Sequence, residues 1–81
     1  MFDELKKLIG EQFHVPANLI VRSATLEDLG LDSLDIVEFS MAVEEQLGAR
    51  VSEDEMSGET DLDAIARLAG GRRRGSQLGV G

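Results

Sequence analysis

Apolar residues recur at helical spacing in the first part of the chain. From Phe2 to Phe13 they fall one to four positions apart on one face, which predicts an amphipathic helix. Pro16 disfavours helical geometry at Val15, so we expect this helix to stop at Phe13 or His14. Its apolar positions are Phe2, Leu5, Leu8, Ile9 and Phe13.

A second helical pattern begins at Ser33 and continues to about Leu47. Gly30 can adopt the backbone angles of a tight turn, and Asp32 is a residue type that caps helix starts. Gly48 is placed to end the helix. The segment therefore predicts a tight turn leading into a helix whose first residue is Ser33.

The second helix has more apolar positions than one buried face needs. Ile36, Phe39, Val43 and Leu47 form one stripe, and Leu34, Val37 and Met41 form a second stripe about a third of a turn away. The carboxylates beside the second stripe are Asp35, Glu38, Glu44 and Glu45. Either the helix is buried on two sides, or the second stripe is a docking surface; the many acids favour docking.

The connection over residues 15–31 is long enough to need packing of its own. Thr25 followed by Asp28 indicates a single helical turn over Leu26 to Leu29. We expect this loop to be pinned against the core and to deliver Gly30. Its apolar anchors are expected to be Leu19, Ile20, Val21, Leu26, Leu29 and Leu31.

Two more capping signals predict helices in the last third of the chain. Ser52 with Glu55 predicts one or two short turns, and Thr60 with Asp63 predicts a final helix ending near Gly70. The expected fold is all-α, a small bundle of three longer helices and one short helix. The domain is expected to span residues 1–69, and the glycine- and arginine-rich residues 70–81 are expected to form a disordered tail.

Composition limits what such a chain can do. With 81 residues, no cysteine and a net charge of −8, it is one small acidic domain without disulfides or a cysteine metal site. The acids repel nucleic acid and anionic lipids and favour basic partners, although solubility alone explains their sign equally well. There is neither a signal peptide nor an apolar run of about 20 residues, so a cytoplasmic protein without membrane insertion is expected.

The motifs of common catalytic sites are missing. The sequence has no phosphate-binding glycine loop, no paired histidines and no calcium loop, and His14, its one histidine, is better interpreted as a helix-end residue. Residues 30–34 lack the second glycine of a hydrolase nucleophile elbow. The chain is therefore not expected to be an enzyme. Ser33 instead lies where a helix start favours an attached phosphate.

The residues around Ser33 occur in a distinctive order. Asp32-Ser33-Leu34 is preceded by Leu26-Glu27-Asp28-Leu29-Gly30 and followed by Asp35-Ile36-Val37-Glu38 and Met41-Ala42-Val43-Glu44-Glu45. In an acidic chain of this size, this order resembles the acyl carrier proteins of fatty acid synthesis, over most of residues 2–69. The resemblance implies a right-handed bundle in which a separate, magnesium-dependent phosphopantetheinyl transferase attaches phosphopantetheine from coenzyme A to Ser33. Acyl chains would be held as thioesters on its terminal thiol.

The resemblance also implies the partners. The second helix would dock on basic patches of synthase or ketosynthase, acyltransferase and reductase-type enzymes, and Asp32 would help the transferase recognise its target. A monomer is expected. By position, the docking residues are the acids Asp35, Glu38, Glu44 and Glu45 and the apolar residues Leu34, Val37 and Met41.

Some positions depart from the family pattern. Glu59 stands where an apolar residue usually lines the acyl pocket, Ser40 is more polar than usual, and Ser57 and Gly58 weaken the short helix. The cargo and pathway therefore stay open between fatty acid synthesis and a specialised route such as polyketide, lipid A or teichoic acid modification. A different class is also open, an acidic interaction module without a prosthetic group in which Ser33 is a helix residue or a kinase target.

Overall fold

The computed structural model describes residues 1–72, which form a helical bundle. Within this range there is no strand, only an isolated bridge between Thr25 and Asp61. The predicted all-α class, with three longer helices and one short helix, is confirmed. The α-helices are α1 (Phe2–Phe13), α2 (Ser33–Ala42), α3 (Glu53–Met56) and α4 (Leu62–Arg72). A 3-10 turn at Ala17–Leu19 and a π-helical segment at Val43–Leu47 complete the described elements.

The core lies between α1, α2 and α4, and Phe39 is its largest fully buried side chain. Leu5 and Ile9 from α1 and Ile65 from α4 are also inaccessible to solvent. The Phe13 ring meets Phe39 edge-on, with 6.3 Å between centroids. One stripe of α2 is therefore committed to the core, as its spacing predicts.

The end of the second helix differs from the sequence prediction. We expected one continuous α-helix to about Leu47, but the α-helical geometry ends at Ala42 and a wider π turn follows over Val43–Leu47. Apolar spacings of three and four residues do not distinguish these two geometries. Gly48 ends the segment in the left-handed conformation, at φ 70°, as expected.

The long connection is pinned through fewer side chains than expected. Ile20, Leu26 and Leu31 are buried and Leu29 is partly buried, but the expected anchors Leu19 and Val21 are wrong because both are exposed. A chain that turns Ile20 into the core directs the residues on either side outward. The predicted single turn is present, since Thr25 and Asp28 each accept a hydrogen bond from the other's backbone N–H at 3.0 Å.

The connection is fastened to the start of α4. The Leu62 N–H donates to the Ala24 carbonyl at 2.8 Å, and the Asp63 N–H donates to the Arg22 carbonyl at 3.0 Å. Arg22 Nη1 returns a hydrogen bond to Asp63 Oδ1 at 2.9 Å. Because α4 holds this loop, it also fixes the direction from which the chain enters α2.

Both ends of α4 differ from the prediction. Asp61, not Thr60, caps the helix, because its Oδ1 accepts from the Ala64 N–H at 2.9 Å. The helix includes Arg72, the last described residue, so it extends beyond the predicted end near Gly70. The rest of the predicted tail, residues 73–81, lies outside the described residues.

Candidate functional site

A reciprocal capping box sets the start of α2. Asp32 Oδ1 accepts from the Asp35 N–H at 2.9 Å, and Asp35 Oδ2 accepts from the Asp32 N–H at 3.3 Å. Gly30 has φ 86°, a left-handed conformation that side-chain residues resist. The turn and the cap together make Ser33 the first residue of the helix.

Ser33 presents a free hydroxyl at this helix start. The residue is exposed, and no group within residues 1–72 forms a hydrogen bond with its side chain. The first amides of α2 lie beside it, and the positive end of the helix dipole favours a phosphate there. No cluster of side chains that could hold a metal ion occurs in the described part of the chain. An exposed hydroxyl at a helix start is accessible for the attachment of a phosphate-linked group.

His14, the other residue considered for chemistry, has a structural position. It follows the last residue of α1 and adopts the left-handed conformation, with φ 58°. This conformation is common at helix ends. The predicted end of the first helix and the helix-end interpretation of His14 are both consistent with this geometry.

A pocket of about 190 Å³ opens beside Ser33, between α2 and α3. Ile36 and Val37 give it an apolar side, whereas α3 and the residue after it add polar groups. Glu59, which departs from the family pattern, is exposed and does not line this pocket. The lining residues are Ser33, Ile36, Val37, Glu53, Asp54 and Ser57.

Ser40, the other polar departure, has its hydrogen bond satisfied within the fold. Its Oγ donates to the Val51 carbonyl at 2.7 Å. The bond joins α2 to the segment that enters α3. Ser40 therefore connects two segments through a hydrogen bond and does not line the pocket beside Ser33.

The second apolar stripe of α2 is open to solvent. Leu34 is 69% exposed and Met41 is 59% exposed, while Val37 is partly buried. Burial of the helix on two sides is therefore wrong for the described bundle. We call this surface the acidic stripe; it comprises Leu34, Val37 and Met41 with the carboxylates of Asp35, Glu38, Glu44 and Glu45.

The four carboxylates of the acidic stripe are not equivalent. Glu38 and Glu45 are exposed, and neither forms an ion pair within residues 1–72. Asp35 belongs to the capping box, and Glu44 Oε2 accepts from Arg50 Nη2 at 2.9 Å and from Nε at 3.3 Å. Sequence reasoning missed Arg50 because no helical spacing relates residues on opposite sides of the Gly48 turn.

A second missed residue, Arg72, fixes the short helix that lines the pocket. Its guanidinium contacts the Glu55 carboxylate. Glu55 also accepts a hydrogen bond from the backbone N–H of Ser52 at 3.1 Å, in the predicted capping pair at the start of α3. Hydrogen bonds from Arg72 and from the Ser52 backbone lower the pKa of Glu55 from 4.5 to about 2. Because Arg72 lies in the predicted tail, no signal in the sequence links it to α3.

Comparison with known proteins agrees with this geometry. The family model described as the phosphopantetheine attachment site matches residues 3–69. The acyl carrier protein of Saccharopolyspora erythraea is 40% identical over 78 residues, covering 85% of this chain and 82% of its own. The chain belongs to the acyl carrier protein family.

Two more relatives have the same name. The acyl carrier protein of Clostridium perfringens strain SM101 is 42% identical over 59 residues, covering 72% of this chain and 78% of its own. That of Wolinella succinogenes is 41% identical over 68 residues, covering 83% of this chain and 90% of its own. The similarity therefore extends over most of the carrier domain.

Family membership establishes the kind of protein. Acyl carrier proteins are carriers and not enzymes, and this one carries covalently attached phosphopantetheine. The residues present fit such a group, because an exposed hydroxyl stands at a helix start beside an open pocket. Among residues 1–72, no helix combines the length and apolar character needed to cross a membrane.

Proposed function

We propose that Ser33 bears the phosphopantetheine group and that this carrier delivers acyl groups to the enzymes of fatty acid synthesis. The observation that carries the proposal is the exposed, unpartnered Ser33 hydroxyl at the start of α2, inside the segment that the family model matches. When attached, the group supplies a thiol that holds acyl chains as thioesters. The protein itself, which has no cysteine, supplies none.

The chain's own part is to present the serine. The capping box of Asp32 and Asp35 holds the turn, so the hydroxyl is available to a phosphopantetheinyl transferase without local unfolding. In the transfer, Ser33 Oγ loses its proton and bonds to the coenzyme A phosphate next to the pantetheine arm, while the adenosine bisphosphate leaves. Asp32, with its exposed position, is the proposed recognition contact for the transferase.

The acidic stripe is the proposed docking surface for partner enzymes. Its apolar residues are exposed or partly buried beside carboxylates, a combination that suits a partner surface with a basic patch around an apolar centre. Ketosynthase, acyltransferase and reductase-type enzymes are the expected partners. Tethering the acyl group raises its effective concentration at each active site, while electrostatic docking permits rapid exchange.

One observation favours a specialised pathway as a second candidate. Glu53, Asp54 and Ser57 form one side of the pocket beside Ser33, so this wall carries polar groups although most of the pocket lining is apolar. A polar wall suits short or hydroxylated acyl groups better than long alkyl chains. The test of this candidate compares the hydrolysis rates of carrier-bound thioesters of short or hydroxylated acyl groups with those of long alkyl chains. The better sheltered thioester should hydrolyse more slowly, so slower hydrolysis of the short or hydroxylated groups would support the specialised pathway.

Intact-mass spectrometry tests the proposed attachment. We expect the protein to gain the mass of one phosphopantetheine group after incubation with coenzyme A, magnesium and a broad-specificity transferase. Ser33→Ala should remain unmodified, whereas Ser23→Ala, at another exposed serine, should be modified like the wild type. An unchanged wild-type mass, or modification that survives Ser33→Ala, would overturn the proposal. If the protein gained only the mass of a phosphate group from a kinase, and was not modified by the transferase, the alternative of an acidic interaction module without a prosthetic group would be supported.

A further inference from the structure

Arg50 places a positive charge at one end of the acidic stripe. Glu44, which Arg50 contacts at 2.9 Å, follows Met41 by three residues, so the contact lies at the end of the stripe away from Ser33. The Arg50 side chain is 84% exposed, and it donates hydrogen bonds to Glu44 and to no other side chain within residues 1–72. Its charge is therefore presented to an approaching partner.

The acidic stripe consequently has an uneven charge along its length. Glu38, nearer to Ser33, is an exposed carboxylate without an ion-pair partner in the described residues. At the other end, Arg50 compensates the charge of Glu44, which is 38% exposed, although Glu45 beside it stays exposed. The basic patch of a partner enzyme that reaches the Glu44 end of the acidic stripe therefore contacts the Arg50–Glu44 ion pair. Without Arg50, it would contact an unpaired Glu44 carboxylate.

We infer that Arg50 determines partner specificity by weakening the docking of enzymes whose basic patch extends to the Glu44 end of the acidic stripe. Like charges across an interface slow encounter and disfavour the wrong partners. Partners that bind through the Glu38 end alone are not penalised. The inference rests on the proposed role of the acidic stripe as a docking surface.

Transfer kinetics with Arg50→Ala test the inference. At low ionic strength, we expect kcat/KM for modification by a broad-specificity transferase to rise about two- to fivefold, the size typical of one exposed ion pair. The difference should disappear near 1 M salt, where charges are screened within about 3 Å. The variant should fold normally, since Arg72 contacts the carbonyl of Arg50, which the substitution keeps.

Arg67→Ala is the matched control for net charge. Arg67 is 81% exposed and pairs with Asp63 on α4 at 3.2 Å, so this variant makes the same change in net charge outside the acidic stripe. We expect it to change the transfer rate by much less than Arg50→Ala does. Equal rate increases for the two variants, or no increase for Arg50→Ala with a transferase that Glu45→Gln slows, would overturn the inference.

A double-mutant cycle identifies Glu44 as the group that Arg50 masks. Glu44→Gln leaves the charge of Arg50 uncompensated, so it should slow modification of the wild type, and it should return the faster Arg50→Ala variant to about the wild-type rate. A double variant that is modified as fast as Arg50→Ala alone would contradict the inference. Failure of the wild type to be modified at all would instead contradict the proposed function, so the two failures are distinguishable.

Discussion

The Arg72 guanidinium binds the Glu55 carboxylate through two hydrogen bonds, 2.6 Å from Nη1 to Oε1 and 2.7 Å from Nη2 to Oε2. Arg72 Nη1 also donates to the Arg50 carbonyl at 3.3 Å. The end of α4 thereby holds both α3 and the segment that precedes it. Because α3 lines the pocket beside Ser33, this pair supports one wall of the site from the other end of the chain.

We predict that the pKa of Glu55 depends on Arg72. NMR titration of the wild-type carboxyl group should give a pKa of about 2, and Arg72→Gln should raise it toward 4.5, since the largest cause of the shift is lost. The Ser52 backbone bond should keep the pKa of the variant below the ordinary value. Arg67→Gln, which removes an arginine that pairs with Asp63, should leave it unchanged. A wild-type pKa near 4.5 would show that the pair does not form.

The lowered pKa predicts an acid-dependent stability. Because the unfolded chain binds the Glu55 proton near pH 4.5 and the folded chain near pH 2, the contribution of the pair is complete above pH 4.5. It is lost as the pH falls between these values. Urea unfolding at pH 7 and pH 3 should therefore show a larger loss of unfolding free energy in the wild type than in Arg72→Gln. Equal losses in the two proteins would contradict the prediction.

Substitutions at Asp32 should separate helix capping from recognition. Asp32→Asn keeps a side-chain acceptor for the Asp35 N–H, so it should preserve the free energy of unfolding but slow transferase modification of Ser33. Asp32→Ala should slow modification and also cost about 1 kcal/mol of stability. Urea unfolding and transfer kinetics measure the two effects. A normal modification rate in Asp32→Asn would show that the Asp32 charge is not recognised.

The two apolar stripes of α2 should respond differently to truncation. Phe39→Ala removes a fully buried ring and should cost about 3–5 kcal/mol, enough to unfold much of so small a domain. Met41→Ala, at a position 59% exposed, should change the unfolding free energy by less than about 0.5 kcal/mol. It should nevertheless slow acyl transfer to a partner enzyme. Unchanged transfer would remove Met41 from the docking surface.

Charge reversal at Glu38 tests the electrostatic part of docking. Glu38→Lys should slow acyl transfer to basic partners at low salt with little effect on stability, since this exposed acid has no ion-pair partner in residues 1–72. Glu11→Lys, which makes the same charge change on α1, is the control. Transfer rates that are the same for both variants would show that net charge, and not the acidic stripe, governs docking.

The local features of the fold could be predicted from sequence because each rests on neighbouring residues. The capping signals at Asp32 and Ser52, the turn at Thr25 and Asp28, and the left-handed Gly48 that ends the π-helical segment after α2 are all present. The exposure of Leu34 and Met41 confirms that only one stripe of α2 is used by the core. The predictions of partner-binding residues and of a cytoplasmic location stay predictions.

Long-range contacts could not be predicted in the same way. The pairs Arg72–Glu55 and Arg50–Glu44 join segments whose relative placement depends on the packed bundle. The exposure of Leu19 likewise depends on how the connection lies against the core. Apolar content and capping chemistry specify which residues start or end helices. They do not specify which charged side chains from different segments contact each other in the folded bundle.

The central claim is that Ser33 bears phosphopantetheine, and peptide mapping tests it most directly. Trypsin should release residues 23–50 of the transferase-treated protein as one peptide, which contains Ser23, Ser33 and Ser40. Our account predicts that fragmentation of this peptide places the added phosphopantetheine on Ser33. Its location on Ser23 or Ser40, or an unmodified peptide, would contradict the account.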